Sequence, residues 1–280
     1  MAEATPDGNG GTWKYWTEPS RLEVDGLDTA YRRDGEGAPL LYLHGAGITR
    51  SWLPLYAELA KSFDTVVPEH PGFGDTPMPA HLKGFSDLVL HYDALLRELE
   101  LEDVHLVGHS LGGQIAANLA IFYPERFRSL TLITPIGIRA PGEPLGDSFR
   151  WSPEVAAEKL LNGTAENYLE ILEQGDPTEQ TLHEYTESIT FARLTWNPRY
   201  DIRLDWRLPR VKAPTLVLHA ADDRLVPRSH SERYAELIPG AELSLLEGAD
   251  GEPASHLAVI QQPEQIAARI ADHAGAAAAA

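Results

Sequence analysis

The sequence predicts an α/β domain: a mostly parallel central sheet, helices on both faces, and a helical insertion. Three observations predict it. Apolar strand-like runs alternate with helix-spaced runs up to residue 138 and again from residue 213. Between these two regions the alternation stops. An apolar run also ends in a serine set among glycines, in "VHLVGHSLGG" at 104–113, with a helix-like run after it. Alternation of strand and helix argues for parallel strands joined by crossover helices.

The elements follow in order. "RLEVDGLDTAYRRDG" reads as a hairpin turning at Asp25-Gly26. "PLLYLHGAG" is a short strand ending in glycines, and "RSWLPLYAELAKSF" has helical spacing. "DTVVPEHPGFGDT" is a strand running into a Gly/Pro-rich loop. "FSDLVLHYDALLRELEL" is the clearest amphipathic helix, with Leu88, Tyr92, Leu95 and Leu99 on one face. "DVHLV" is a buried strand, and "GGQIAANLAIFYPERF" is a helix with Ile115, Leu119 and Phe122 in register and Pro124 as its stop. "SLTLITPIGI" is another strand.

Residues 139–208 hold no strand-like run. They carry Trp151, Tyr168, Phe191, Trp196, Tyr200 and Trp206, with helix-like stretches such as "SPEVAAEKLLNG" and "TLHEYTESITFARLTW". We expect a helical lid here, inserted into a core formed by residues 1–138 and 209–280. A lid over the C-terminal strand ends encloses a pocket and excludes water. Its aromatics make the expected substrate partly apolar, though each one taken singly reads better as lid core. Arg139, Arg150, Arg193, Arg199, Arg203 and Arg207 lie there too, expected mostly in water or paired with Glu170, Asp201 and Asp205. Replacing the lid by a short linker is expected to spare a small acetate ester. Alternation resumes with "APTLVLHAADD", "SHSERYAELIPG", "AELSLLEGAD" and "PEQIAARIADHA". The last residues, "DHAGAAAAA", carry no chemistry.

A strand that bends directly into a helix needs small neighbours two positions from the bend, and Gly108 and Gly112 supply them. Ser110 at the apex then projects its hydroxyl above the sheet, and the Leu111 N–H sits at a helix N-terminus. This is the strand–turn–helix context of the G-x-S-x-G nucleophile elbow. A serine needs a base, and the base needs an orienting acid. The expected chain order is Ser, Asp or Glu, then His. Four histidines follow the lid. His219 lies inside a strand and is expected to face the helices. His230 opens a helix and His273 lies near the tail. His256, in the loop after "ELSLLEG", is assigned as base. Of the adjacent acids, the "DRLVP" pattern selects Asp223, with Asp222 in reserve. An oxyanion hole needs two N–H donors. Leu111 supplies one and Ala46 of "HGAG" the other, with Gly47 in reserve. His44 and His109 read as structural. Glu69 and His70 lack a third partner, so neither a metal nor any other cofactor is expected.

Composition narrows the function classes. With no cysteine, disulfides and thiolate nucleophiles are absent. A formal net charge of −19 disfavours nucleic acid and anionic membranes as partners. No apolar run approaches membrane-spanning length. The acidic start "MAEATPDGNGG" is unlike a signal peptide, so we expect a cytoplasmic protein with a small-molecule substrate. Its oligomeric state is not legible.

Taken together, "HGAG", "PEHPGFGDT", "GHSLGG", "DDRLVP" and the late His256 resemble the α/β-hydrolase superfamily, over about residues 20 to 273. The resemblance implies the α/β-hydrolase fold with a lid and puts Ser110, Asp223 and His256 at the triad positions. The sequence departs from the usual Gly-His in the histidine loop, having "EPASHL". Haloalkane dehalogenases and epoxide hydrolases share the fold but carry Asp at the elbow, where this chain has Ser110. Carbon–carbon bond hydrolases of meta-cleavage products often have Asn before the serine and Trp after the histidine, where this chain has His109 and Leu257. The leading expectation is a serine hydrolase of an ester, lactone or thioester. The alternatives are a carbon–carbon bond hydrolase, an acyltransferase, a lyase or a cofactor-free perhydrolase using the same triad. A non-enzymatic binding protein would have no need of all three groups.

Overall fold

The computed structural model describes residues 15–173 and 176–279. The acidic leader lies outside them. Eight strands form one sheet: β1 (Ser20–Val24), β2 (Leu27–Asp34), β3 (Ala38–Leu43), β4 (Phe63–Pro68), β5 (Val104–His109), β6 (Phe127–Ile133), β7 (Thr215–Ala220) and β8 (Glu242–Leu246). Their order is β1-β2-β4-β3-β5-β6-β7-β8. β1 and β2 pair antiparallel through Asp25-Gly26, both with positive φ as a tight hairpin turn demands. β2 also meets β4 antiparallel, and every later pairing is parallel.

The helices are α1 (Pro54–Leu59), α2 (Phe85–Glu98), α3 (Leu111–Phe122), α4 (Pro153–Leu160), α5 (Leu169–Leu172), α6 (Pro177–Thr195), α7 (Leu204–Arg207), α8 (Arg228–Leu237), α9 (Ala258–Gln261) and α10 (Pro263–Ala279). They cover both faces because successive strand side chains point opposite ways. Leu41 and Leu43 join the core under α2 and α3, with Leu88, Tyr92, Leu95, Ile115 and Leu119. Leu40 and Tyr42 join the opposite core with Tyr56, Ile266 and Ile270. β5 lies between β3 and β6 and all six of its residues are buried. The serine at its end therefore rises from the buried interior of the sheet.

α2 follows the predicted stripe: Leu88, Tyr92 and Leu95 are fully buried. It starts where Asp87 Oδ2 accepts the backbone N–H of Gly84 at 3.1 Å. α6 starts where Pro177 follows Asp176, whose carboxylate accepts the N–H groups of Thr178 and Glu179. Phe122 departs from the α3 stripe. It is the last residue of α3, lies half exposed, and carries the Arg207 guanidinium 5.4 Å from its ring centroid. The alanine-rich end continues α10 as helix, as alanine's propensity favours. Between β6 and β7 the described residues form helices and turns only. No helix among the described residues is long and apolar enough to cross a membrane.

Candidate active site

Ser110 sits at the junction of β5 and α3 with φ 52° and ψ −112°. That region costs a non-glycine residue about 1–3 kcal/mol and persists only where surroundings enforce it. The surroundings do so here. The Ser110 N–H donates to Ile133 O at 2.9 Å, and its carbonyl accepts the N–H groups of Gly113 and Ile136. A Cβ on Gly112 would fall 2.0 Å from the Leu43 carbonyl oxygen, and one on Gly108 2.4 Å from the Gly112 carbonyl oxygen. Only glycine lets the bend close against β3.

His256 Nε2 lies 3.0 Å from Ser110 Oγ, and its Nδ1 lies 2.7 Å from Asp223 Oδ2. The three side chains come from the β5–α3, β7–α8 and β8–α9 connections. Asp223 is held by its own turn, where Oδ1 accepts the N–H groups of Leu225 at 2.7 Å and Val226 at 2.8 Å. Burial opposes its charge. The His256 charge and hydrogen bond and the two backbone donors outweigh burial and lower its pKa. Asp222, its neighbour, is exposed, and the His256 Nδ1 contact is made to Asp223 instead.

His109 is held far from protonation, at about 3, first by burial and then by the His256 charge. Its Nε2–H donates to the His256 carbonyl at 3.0 Å, which fixes the backbone of the base. His44 is lowered to about 4, chiefly by burial. The His70 N–H donates to His44 Nε2 at 3.2 Å, so His44 Nδ1 carries the proton and donates to Gly45 O at 2.6 Å. His70 Nε2–H donates back to His44 O at 2.8 Å, leaving Nδ1 to accept from Tyr92. Two neutral, stacked imidazoles thus lock the 44–47 loop. That loop lies against the serine: a Cβ on Gly45 would come 3.3 Å from Ser110 Cβ. Leu111 opens α3 and so has an N–H without an intrahelical acceptor, while Ala46 is exposed on the facing loop. His219 faces α8, where Nδ1 meets Ser231 Oγ at 2.9 Å, and His230 Nε2 donates to Glu143 O. His273 Nε2 lies 3.1 Å from Pro214 O. None of these three joins the serine.

A cavity of about 30 Å³ adjoins Ser110, walled by Ile136, Leu145, Phe149, Phe191, Arg199 and Leu225 among others. Phe149 stacks on Phe191 at 5.1 Å. Sequence reading missed Phe149 and Leu145, because no periodicity marks the loop and short 3₁₀ turn that carry them. It also missed Glu187, in the middle of a mostly polar helix. Glu187 is buried, accepts from Thr49 Oγ1 and from the Gly74 N–H at 2.9 Å, and is pushed up to about 7 by burial. The arginine pairing also differs in one place. Asp205 meets Arg233 of α8 at 3.1 Å, tying the segment to the core, whereas Arg199 pairs with Asp147 at 2.8 Å. No group of three His, Asp or Glu among the described residues is placed to hold a metal ion.

The sheet order and the strained serine at its strand–helix bend define the class of fold, an α/β protein built around a nucleophile elbow. The chain belongs to the alpha/beta hydrolase family, whose model matches residues 40–269. It is 30% identical over 232 residues to 2-hydroxymuconate semialdehyde hydrolase of Pseudomonas sp. (strain CF600), covering 78% of this chain and 82% of that relative. A solved meta-cleavage product hydrolase from Pseudomonas fluorescens IP01 superposes with a TM-score of 0.73 at 22% identity, covering 92% of this chain and 98% of that one. The enol-lactonase from Burkholderia xenovorans LB400 superposes at 0.71 and 20% identity, covering 91% and 99%.

Proposed function

We propose that the protein is a serine hydrolase that opens an ester, lactone or thioester of a small, partly apolar molecule through an acyl-enzyme. The observation that carries the reading is the hydrogen-bonded series from Ser110 Oγ to His256 to Asp223, at 3.0 Å and 2.7 Å. Ser110 Oγ attacks the carbonyl carbon while His256 Nε2 takes its proton. Asp223 holds the imidazole by Nδ1–H and stabilises the imidazolium. The N–H groups of Leu111 and Ala46 receive the oxyanion. His256 then gives the proton to the leaving group, and water, activated by the same base, releases the acid. Residues 139–208 act as the lid, and Phe149, Phe191 and Leu145 give the acyl pocket its apolar wall.

A second reading, hydrolysis of a carbon–carbon bond in a meta-cleavage product, is favoured by the 30% identical relative. Against it stand His109 and Leu257 beside the nucleophile and base. The test is a mass-spectrometric panel of small esters, lactones and thioesters alongside a meta-cleavage product. Turnover of the first group with the second inert supports the proposal. Turnover of the meta-cleavage product alone establishes the second reading instead.

A further inference from the structure

Beyond the wall formed by Thr195 and Arg199, on the side away from Ser110, lies an open chamber of about 560 Å³. Its composition runs against the molecule. In a chain of net charge −19 its lining carries Lys83, Arg193, Arg199, Arg203 and Arg207 against only Asp87 and Asp201. Two of these cations are occupied: Arg199 with Asp147, and Arg207 stacked on Phe122 and Trp206. Among the described residues Arg203 pairs with Asp201 at a long 3.5 Å, and Arg207 lies 3.8 Å from the same carboxylate. Lys83 and Arg193 are exposed and form no ion pair among the described residues. Asp87 does not neutralise them by contact, since its Oδ2 faces the backbone N–H groups of Lys83 and Gly84.

The floor differs in chemistry. Gln114 and Asn118 of α3 line it and are each 2% exposed. Buried side-chain amides almost always have partners. The Gln114 amide makes no hydrogen bond among the described residues and is open to the chamber it lines, and Gly137 is kept bare so that it fits. A Cβ there would lie 2.2 Å from Gln114 Cδ. Asn118, which lines the chamber, donates from Nδ2 to Gln114 O at 2.9 Å, and its Oδ1 accepts no hydrogen bond among the described residues. Phe85 and Tyr200 supply flat apolar flanks. The chamber thus has a cationic rim, aromatic sides and a floor that accepts a hydrogen bond.

We propose that this chamber is a second binding site, separate from the acyl pocket, for a small aromatic acid bearing a ring hydroxyl. The oxyanion lies between Lys83 and Arg193, where charge-assisted bonds form with exposed, unpaired partners. The ring lies along Phe85 and Tyr200, and its hydroxyl donates to Asn118 Oδ1. The Asn118 amide then gains a hydrogen-bond partner from the ligand.

Calorimetric titration of 4-hydroxybenzoate, benzoate and inorganic phosphate into the Ser110→Ala protein tests this independently of turnover. We expect saturable binding of 4-hydroxybenzoate, weaker binding of benzoate, and the weakest of phosphate. The double variant Lys83→Gln, Arg193→Gln weakens 4-hydroxybenzoate by at least about tenfold, since both rim charges are removed. Asn118→Leu removes the preference over benzoate, and unchanged circular dichroism shows each variant folded. Leu145→Trp, which fills the acyl cavity, leaves binding unchanged. No saturable binding up to about 10 mM overturns the proposal, because that is weaker than a built site gives. So does weakening by Leu145→Trp, or indifference to the rim substitutions.

Discussion

Ser110 bears both the strain and the proposed chemistry of the site, so its substitution separates the two. Ser110→Ala removes one oxygen and leaves the backbone bonds to Ile133, Gly113 and Ile136 in place. We expect unchanged circular dichroism and a loss of about four or more powers of ten in kcat, since triad members act as a unit. Residual activity near one per cent sinks the nucleophile assignment. At the acid the adjacent pair gives an internal control. Asp223→Asn keeps the shape but offers Nδ1 of His256 an N–H, favouring the wrong tautomer. Asp222 is exposed, and Asp222→Asn should leave kcat within about twofold, as surface changes usually do. Equal losses in steady-state assays reverse the assignment.

Glu187 gives a prediction in pH. Its folded pKa, about 7, lies above the ordinary 4.5 chiefly because burial disfavours its charge, and Glu69 adds repulsion against the help of Thr49, Gly74 and Arg50. A raised pKa means that the native state holds the proton longer. The associated stability is complete below about pH 4.5 and is lost as pH rises to about 7. The shift corresponds to about 3–4 kcal/mol. Urea unfolding at pH 5 and pH 8 should therefore show a smaller loss with rising pH for Glu187→Gln than for the parent. Parallel losses in the two proteins mean that Glu187 titrates normally.

At the scale of elements, the loop carrying His256 is braced from outside the sheet. The Leu160 carbonyl, at the end of α4, accepts Ser255 Oγ–H at 2.6 Å and the Leu257 N–H at 3.1 Å, one bond on each side of His256. Asn167 Nδ2 donates to Glu252 Oε1 at 2.7 Å, and Asn162 Nδ2 to the Asp222 carbonyl at 2.7 Å. The segment between β6 and β7 therefore holds the loops of both the proposed base and the proposed acid. Ser255→Ala removes its bond to Leu160, together with the contacts of the same hydroxyl to Gln261 Oε1 at 2.6 Å and the Leu257 N–H at 3.3 Å, without touching substrate. We expect kcat to fall roughly tenfold to a hundredfold with KM little changed, because small displacements of a reacting group cost that much. A kcat equal to the parent's shows that the Leu257 bond suffices.

At the scale of the whole molecule the hydrogen bonds argue against one expectation drawn from sequence, that replacing residues 139–208 by a short linker greatly weakens activity on the natural substrate while sparing a small acetate ester. With Leu160, Asn162 and Asn167 gone, the bracing of His256 and Asp223 goes too. We now expect activity on p-nitrophenyl acetate to fall with that on larger esters, by about a hundredfold or more. Acetate hydrolysis at the parent rate shows that the sheet alone orients the site. Removal also takes Leu204 and Leu208, both fully buried, out of the shared core and uncovers the apolar residues they cover, so solubility must be checked alongside.

Much of this protein was legible along the chain because its signals are local. Alternating apolar runs gave the strands, the stripe of Leu88, Tyr92 and Leu95 gave α2, and Gly108 and Gly112 around Ser110 gave the elbow, since each of these depends on near neighbours. Chain order chose His256 and the "DRLVP" pattern chose Asp223, and the fold brings the two together at 2.7 Å. Other features join residues far apart in sequence, and nothing local encodes them. Glu187 meets Thr49 across 138 positions, Leu160 braces Ser255 across 95, and Gln114 with Asn118 becomes a floor only when Arg193 and Lys83 are folded around it. A polar residue on a helix reads as solvated until packing decides what buries it, and only the tertiary structure made that decision.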